Sequence, residues 1–312
     1  MSTSGPNAAE RDDGARDGDP RASRRPAALL RRGIQELADA GLVTPRADAR
    51  LLLAHAAGLE PAGLATTPVL GSEVEARYRD LLTRRIAGEP VQYLTGVAYF
   101  RSISVAVGPG AFIPRPETEL LVQYALHRLV AMRPQTGPSP VVVDMGTGSG
   151  VIAATVIAEY PGTPVVHAVD NSAAALEWAR RNLAGTGAHV VEARMGQALA
   201  ELDGAVDLVI SNPPYLPTSC AGELPADVIG HDPHEALFSG EDGLDAIREL
   251  VPNAARLLRT GGALVVEHDD SQGEAAVQLL RGTGLFEQVD DHPDLTGRPR
   301  FVSATRRPGV GE

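Results

Sequence analysis

The sequence has a single cysteine, Cys220, among its 312 residues, and none of its 28 basic residues is a lysine. One cysteine excludes an internal disulfide and a cysteine-rich metal site. The absence of lysine excludes the Gly-Lys-Ser/Thr ending of a phosphate-binding P-loop. We therefore expect a protein of a reducing compartment, the cytoplasm, with no nucleotide site of the P-loop type.

Long apolar runs and an excess of positive charge are also missing. No stretch of about 18 apolar residues occurs, so no transmembrane helix and no membrane partner are expected. Acidic residues outnumber basic ones by 40 to 28, and the net charge is −12. Because contact with phosphates needs a positive face, this balance argues against stable nucleic-acid binding. Residues 1–26 mix Gly, Pro, Asp and Arg without an apolar core, which predicts a disordered leader.

The pattern of apolar residues divides the remaining chain into three parts. Between residues 27 and 90 they recur at helical spacing, which predicts a small helical domain for packing or recognition. Residues 91–110 contain the alternating Ile103, Val105 and Val107, which predict a β-hairpin linker. Residues 111–307 form the third part, in which strands and helices alternate from residue 141 onwards, as is typical of a doubly wound parallel sheet.

Seven strands are predicted in that sheet, and the last two are expected to pair at its edge. They span residues 141–143, 165–169, 190–193, 206–210, 263–266, 286–289 and 301–304. Helices are expected at 151–159, 173–184 and 243–259. The architecture predicted from the pattern alone is α/β.

A glycine-rich loop follows the first strand of the sheet. It reads Asp144-Met145-Gly146-Thr147-Gly148-Ser149-Gly150, and Val151 rules out the dinucleotide fingerprint Gly-x-Gly-x-x-Gly. Glycines let a backbone approach a ligand and expose N–H groups near a helix N-terminus. Asp170 ends the next strand about 20 residues later, the spacing at which a carboxylate meets ribose hydroxyls. The pair predicts a methionine-nucleoside ligand; in the alternative, Asp170 belongs only to the next helix cap.

The strand at 206–210 stops at Ser211-Asn212-Pro213-Pro214-Tyr215. Prolines have no N–H to continue a ladder, so the backbone must leave the sheet there. The Asn212 side-chain oxygen and the Pro213 carbonyl are two acceptors at a fixed separation, and Tyr215 offers a flat aromatic face. Such a group suits a planar amide or an exocyclic amine; the alternative is an ordinary Asn-Pro turn.

These motifs together resemble the class I S-adenosylmethionine-dependent methyltransferases that act on amino nitrogens. Two more narrow the resemblance to the release-factor glutamine methyltransferase family: Arg85-x-x-Gly88-Glu89-Pro90-x-Gln92-Tyr93-Leu94-Thr95-Gly96 and Ile113-Pro114-Arg115-Pro116-Glu117-Thr118-Glu119. Further matches are His234-Glu235-Ala236-Leu237 to Gly243-Leu244, Gly261-Gly262 with Glu267, and Asp294-Leu295-x-Gly297-x-x-Arg300. The resemblance extends from residue 30 to residue 305.

The resemblance implies a seven-stranded, Rossmann-like class I methyltransferase sheet joined through the hairpin to the small helical domain. Residues 27–90 would then recognise the substrate, and residues 111–307 would bind S-adenosyl-L-methionine. The implied activity is methylation of the glutamine in the Gly-Gly-Gln loop of peptide chain release factors. The release factor would be the protein partner, and the enzyme is expected to be a monomer.

The same resemblance implies overlapping groups of site residues. The catalytic group is Asn212, Pro213 and Tyr215, and Pro214 joins these three in binding the substrate. The cofactor group consists of Gly146, Thr147, Gly148, Ser149, Gly150, Asp170, Met195 and Asn212. Arg194 and Met195 stand where similar proteins carry an Asp and an aromatic residue, so Met195 is expected to cover the adenine. No metal is expected, because His231-Asp232-Pro233-His234 lacks the helical spacing of zinc ligands.

Two alternatives from other functional classes stay open. A DNA adenine amino-methyltransferase would use Asn-Pro-Pro-Tyr on a flipped base, but it should carry a basic recognition region. A non-catalytic S-adenosylmethionine-binding protein would have lost its methyl transfer. The intact Asn212 and Asp170 speak against that second alternative, whereas Arg194 and Met195 leave it room.

Overall fold

The computed structural model describes residues 23–132, 138–222 and 230–309. It divides into two compact units, Met1–Thr95 and Gly96–Glu312. The predicted leader lies outside the described residues up to position 22, and the first helix begins at Pro26. Within the described ranges, none of the helices combines the length and the apolar character that a bilayer crossing requires.

The first unit is helical throughout its described part. Its elements are α1 (Pro26–Asp39), α2 (Pro45–Ala57), a 3-10 turn (Gly63–Ala65), α3 (Ser72–Ile86) and α4 (Val91–Thr95). Proline at the first position of α1 and of α2 suits a helix start, where the N–H has no partner in any case. Apolar side chains from all four helices, such as Leu37, Leu52 and Leu82, are buried together in one core.

A buried ion pair connects α2 with α3. Arg85 Nε donates to Asp48 Oδ2 at 2.7 Å, and the Thr44 hydroxyl donates to Asp48 Oδ1 at 2.9 Å. A second guanidinium nitrogen of Arg85 donates to the Glu89 carbonyl at 3.2 Å. Loss of either charged partner would leave an unpaired buried charge, which is strongly destabilising. The Arg85 motif therefore has a stabilising role within this unit.

The structure differs from the predicted linker at residues 91–110. Its first five residues form α4, because the Pro90 carbonyl accepts from the N–H groups of Tyr93 and Leu94 at 3.0 Å each. Val91 and Leu94 are buried in the core of the first unit. The hairpin is shorter than predicted and comprises β1 (Val97–Phe100) and β2 (Ile103–Ala106).

The hairpin is held firmly against the rest of the second unit. Arg101, which lies in the turn between β1 and β2, forms an ion pair with Glu159 at 2.8 Å. Asn182 exchanges two hydrogen bonds of 2.8 Å with the backbone of Ala106, and its Nδ2 also donates to the Ser149 carbonyl at 2.8 Å. One asparagine therefore joins the hairpin to the glycine-rich loop.

The second unit contains the predicted seven-stranded sheet, in the order β5-β4-β3-β6-β7-β9-β8. Its strands are β3 (Val141–Met145), β4 (Val165–Asp170), β5 (His189–Glu192), β6 (Val206–Ser211), β7 (Leu258–Glu267), β8 (Phe286–Pro293) and β9 (Pro299–Arg306). The helices are α5 (Thr118–Ala131), α6 (Val151–Glu159), α7 (Ala173–Asn182), α8 (His234–Leu237), α9 (Asp245–Leu257) and α10 (Gly273–Gly282). The predicted fold class is confirmed.

Strands β3 to β7 run parallel, and β8 and β9 form the predicted antiparallel pair at the edge. The central strands are rich in Val, Leu and Ile, and residues such as Val143, Val209 and Leu264 are fully buried. Such apolar runs form strands covered on both faces. The strand order reverses at β3, which lies between β4 and β6. In open α/β sheets, ligands bind beyond the carboxyl ends of the strands at this point.

Candidate active site

A cavity of about 590 Å³ lies beyond the carboxyl ends of β3, β4 and β6. Its volume falls in the range of small-molecule sites. Nearly all of the predicted site residues line it: Gly146, Thr147, Gly148, Ser149, Asp170, Met195, Asn212, Pro213, Pro214 and Tyr215. The glycine-rich loop and the Asn-Pro-Pro-Tyr string, 66 residues apart in sequence, thus face one space.

Gly150 is the exception among the predicted cofactor residues, because it is not part of the cavity wall. It precedes α6 with a φ of 81°, a conformation that favours glycine. A Cβ at this position would lie 3.2 Å from the Cα of Ala179 in α7. The structure therefore gives Gly150 a role in the close packing of α6 against α7.

The glycine-rich loop is fastened to the end of β4. The N–H groups of Gly146 and Thr147 both donate to the Val169 carbonyl at 2.8 Å. Gly146 has a φ of 76°, and a Cβ there would approach the Asn212 carbonyl at 3.8 Å and the Met195 Cε at 4.0 Å. The missing side chain keeps the loop open towards the cavity and close to the Asn-Pro-Pro-Tyr string.

Asp170 organises the backbone around it. Its Oδ2 accepts from the Gly148 N–H at 2.8 Å and its Oδ1 from the Ser172 N–H at 2.9 Å. The cap of α7 is Ser172 itself, whose hydroxyl accepts from the Ala175 N–H. Burial raises the pKa of Asp170. Each carboxylate oxygen keeps a further lone pair, so the side chain can accept hydroxyl groups from a ligand in the cavity.

Asp144, at the end of β3, holds the glycine-rich loop by hydrogen bonds. It is not among the site residues predicted from the sequence. Its Oδ2 accepts from the Thr147 hydroxyl at 2.6 Å and from the Ala153 N–H at 3.0 Å. The other oxygen, Oδ1, is buried and has no hydrogen-bond partner in the described part of the chain. Burial raises the pKa of this carboxyl to about 7.

The Asn-Pro-Pro-Tyr string is fixed at both of its ends. Asn212 Nδ2 donates to the Thr118 hydroxyl oxygen, at the start of α5, at 3.0 Å. The Tyr215 hydroxyl donates to Glu267 Oε1, at the end of β7, at 3.2 Å. The Gln272 side chain donates to the Tyr215 carbonyl at 2.8 Å. With these contacts in place, Asn212 and Tyr215 both line the cavity.

From the sequence, Glu267 is a family match at a strand end beside the site, without a definite role. In the structure it lies outside the cavity wall and holds Tyr215. It is fully buried, and burial raises its pKa to about 7, although the Thr118 hydroxyl, Arg300 and the Tyr215 hydroxyl each favour its charged form. In the sequence, the signal that Glu267 belongs to the site is its position at the end of a strand next to β6. Its interactions with Thr118, Tyr215 and Arg300 come from distant parts of the chain and appear only in the structure.

Met195 lines the cavity, whereas Arg194 is exposed and forms a 3.6 Å ion pair with Glu249. The Met195 carbonyl accepts from the Asn253 side chain at 2.5 Å, which fixes the backbone at this position. Arg194 and Met195 stand where similar proteins carry an Asp and an aromatic residue, and of the two only Met195 lines the cavity. Its thioether is suited to cover an aromatic ring.

The His231–His234 segment lies beside the cavity and is engaged in other contacts. Asp232 accepts from Arg115 at 2.5 Å, and the Arg115 guanidinium lies 5.2 Å from the centre of the Phe112 ring. His234 packs against the ring of Phe238 at 4.3 Å between centroids. Arg115, Phe112 and Phe238 all contribute to the wall.

Comparisons with known proteins agree with this geometry. A family model described as the PrmC N-terminal domain matches residues 28–96, and one described as the methyltransferase small domain matches residues 122–223. A curated release factor glutamine methyltransferase from Streptomyces coelicolor is 45% identical over 282 residues, covering 89% of this chain and 97% of that protein. The chain belongs to the release factor glutamine methyltransferase family.

A second relative carries a different name within the same range of similarity. The 4-amino-L-phenylalanine/4-methylamino-L-phenylalanine methyltransferase of Streptomyces pristinaespiralis is 39% identical, covering 83% of this chain and 88% of that protein. Among solved structures, the hMettl16 catalytic domain in complex with the MAT2A 3'UTR hairpin 6 has a TM-score of 0.50. It is 13% identical, covers 65% of this chain and 75% of that chain, and shares the fold.

The cofactor of this methyltransferase family member is S-adenosyl-L-methionine, and the residues of the cavity fit it. A Cβ at Gly146 would lie 3.8 Å from the Asn212 carbonyl oxygen and 4.0 Å from Met195 Cε, so this position borders two residues of the cavity wall. Ser149 lines the cavity, and its hydroxyl is buried without a hydrogen-bond partner among the described residues. The lone pairs of Asp170 are free to accept ribose hydroxyls, and the Met195 thioether is suited to an adenine face, so both side chains are compatible with this cofactor.

Replacing Asp170 with alanine should weaken the binding of S-adenosylmethionine by about 1–3 kcal/mol, the scale of lost hydrogen bonds to a charged group. Isothermal titration calorimetry measures this change directly. The matched control is Glu177→Gln, which removes one negative charge from an exposed position of the following helix. Equal affinities of the two variants would remove Asp170 from the cofactor site.

The two buried carboxyls predict that stability falls as the pH rises through neutrality. Asp144 and Glu267 have pKa values raised to about 7 in the folded state, so their stabilising effect is complete in acid and is lost as they ionise. The ionisation of each carboxyl should lower the free energy of unfolding by about 1 kcal/mol between pH 6.5 and 8.5. His167 and His292, whose pKa values are lowered by burial, act in the opposite direction, mainly below this window and at its acid edge, because an unfolded histidine titrates at about pH 6.5.

Urea unfolding at the two pH values tests this prediction. The Glu267→Gln variant serves as the control, because about half of the pH dependence should disappear with that carboxyl. A wild type whose stability increases between pH 6.5 and 8.5 would contradict the assignment.

Proposed function

We propose that this protein transfers a methyl group from S-adenosylmethionine to the side-chain amide nitrogen of the Gly-Gly-Gln glutamine in peptide chain release factors. Family membership supports this substrate. The observation that carries the proposal is the 3.0 Å hydrogen bond from Asn212 Nδ2 to Thr118. Because this bond uses the nitrogen of the amide, the Asn212 side-chain oxygen is available to a substrate, and Asn212, Pro213 and Tyr215 all line the cavity.

The chemistry explains why such an arrangement is needed. An amide nitrogen is a poor nucleophile, because its lone pair is delocalised into the carbonyl. Two acceptors at a fixed separation can each take one N–H of the substrate amide and hold its plane in one orientation. The rigid Pro213-Pro214 backbone keeps them in place, so the reacting nitrogen is oriented without further loss of entropy. S-adenosylmethionine, when bound, supplies the activated methyl group.

A second candidate function is methylation of a small aromatic amine. The relative from Streptomyces pristinaespiralis favours it, because its name shows that a protein 39% identical to this one acts on 4-amino-L-phenylalanine. The two acceptors and the aromatic face would suit an aryl amine as well as an amide. A DNA adenine substrate is disfavoured by the net charge of −12.

One assay separates these substrates. The purified chain is incubated with methyl-labelled S-adenosylmethionine and one of four acceptors: a release factor, the same factor with its Gly-Gly-Gln glutamine replaced by alanine, 4-amino-L-phenylalanine, or duplex DNA. Label is expected on the unaltered release factor alone. Equal labelling of the altered factor would contradict the glutamine as the target, and faster labelling of the amino acid or of DNA would replace the proposal.

We further propose that residues 27–90 recognise the release factor and that the enzyme acts as a monomer in the cytoplasm, where translation takes place. We propose neither a membrane partner nor stable binding to nucleic acid. Analytical ultracentrifugation of the enzyme mixed with a release factor should give a one-to-one complex. A dimer of the enzyme at micromolar concentration would contradict the monomer.

A further inference from the structure

We propose that Thr118 and Glu267 are positioning residues that set the direction of the Asn212 amide, and that Glu267 must be charged to do so. This inference rests on the proposed function. The four side chains that carry it come from three separate parts of the fold. Thr118 begins α5, Asn212 and Tyr215 follow β6, and Glu267 ends β7.

Two hydrogen bonds join these side chains in pairs, and an interaction between Thr118 and Glu267 connects the two pairs. Asn212 Nδ2 donates to the Thr118 oxygen at 3.0 Å, and the Tyr215 hydroxyl donates to Glu267 Oε1 at 3.2 Å. The Thr118 hydroxyl favours the charged form of Glu267 by hydrogen bonding. Thr118 is 2% exposed and Glu267 is 0% exposed, so water does not compete for these groups. Thr118 reaches the cavity wall, and Glu267 is not part of it.

The direction of the network follows from what each group can donate. A charged carboxylate can only accept, so it draws the hydroxyl protons of Thr118 and Tyr215 towards itself. The Thr118 oxygen is then left as an acceptor, and the Asn212 side chain must offer it the Nδ2 end. Its oxygen consequently faces the cavity, where an acceptor for the substrate N–H is needed. A protonated Glu267 could donate to Thr118 and would remove this constraint.

Charged groups on the neighbouring elements affect the protonation of Glu267. Arg300 of β9 favours its charged form, and Glu117, just before α5, opposes it. Asp269, after β7, acts on the Tyr215 hydroxyl, whose pKa is raised by burial and by Glu267. Because burial holds the Glu267 pKa near neutrality, a modest change in pH alters the population of the competent state.

The test compares Thr118→Val with Thr118→Ser. Valine keeps the shape of threonine but offers no acceptor, so kcat for release-factor methylation should fall about a hundredfold, the cost of a misplaced reacting group. The KM for S-adenosylmethionine should stay within about twofold of the wild type, and serine should restore most of kcat, because its hydroxyl makes the same two hydrogen bonds. A valine variant as active as the wild type, or a serine variant as impaired as the valine variant, would overturn the inference.

The Glu267→Gln variant supplies a readout that a merely structural role would not change. In the wild type, kcat should decline as the pH falls through about 7, and this acidic limb should be absent in the glutamine variant. Its unfolding midpoint at pH 8 should be no lower than that of the wild type. An unchanged acidic limb would contradict the role of Glu267. A wild type that labels no glutamine would instead contradict the proposed function, and the inference would fall with it.

Discussion

Replacing Asn212 with alanine is expected to lower kcat for glutamine methylation by about two to three orders of magnitude, as does removal of one preorganised hydrogen-bonding group in other active sites. The alanine variant loses the acceptor that we propose for the substrate amide, and Thr118 loses the donor that lies 3.0 Å from it. Of the two proposed acceptors, only the Pro213 carbonyl remains.

Three measurements on the same preparation interpret this result. Single-turnover labelling of a release factor gives the chemical step. Calorimetry should show that S-adenosylmethionine binds within about tenfold of its wild-type affinity, the worth of one hydrogen bond. Thermal unfolding should show a folded protein. Equal rates of labelling for the variant and the wild type would exclude Asn212 as an acceptor for the substrate amide, whatever the cofactor affinity.

Gly243→Ala should also inactivate the enzyme, although Gly243 is not part of the cavity wall. Gly243 has a φ of 77°, and a Cβ would lie 2.1 Å from the Tyr215 carbonyl oxygen and 2.4 Å from Gln272 Nε2. Gln272 donates to that carbonyl at 2.8 Å and to the Asp242 carbonyl at 2.9 Å. A methyl group must therefore displace the backbone that carries Tyr215, and a shift of about 1 Å costs about a hundredfold in rate.

The matched control for Gly243→Ala is Gly284→Ala. Gly284 has a φ of 68°, and a Cβ there would meet nothing within 4 Å. Both variants bear the strain of a left-handed backbone, about 1–2 kcal/mol, but only one carries the overlap. Methylation by Gly284→Ala should match the wild type. If both variants lost activity to the same extent, backbone strain and not displacement of Tyr215 would be the cause.

The sequence predicts those parts of the site that are contiguous in the chain. The glycine-rich loop and the Asn-Pro-Pro-Tyr string each lie at the end of a strand, so their position at one sheet edge follows from the topology. Thr118 and Glu267 could not be assigned in this way, because they meet the string from 94 and 52 residues away. Only the packing of α5 and β7 against β6 brings them to it.

Local propensity also misjudged two backbone segments. Residues 91–95 look compatible with a strand, yet the buried Val91 and Leu94 complete a helical core, and this packing prevails over the local pattern. Gly150 was grouped with the other loop glycines because of its spacing. Its close approach to α7, which no local pattern encodes, gives it a different role.

The side chain of Asn182 links two segments that are distant in sequence. Through it, the backbone of the hairpin at Ala106 and the glycine-rich loop at Ser149 share one hydrogen-bonding group. A ligand that orders the glycine-rich loop should therefore also restrain the hairpin. By reciprocity, a more mobile hairpin should lower the affinity for the ligand. Amide exchange in residues 97–106 would then report the occupancy of a cavity that the hairpin itself does not line.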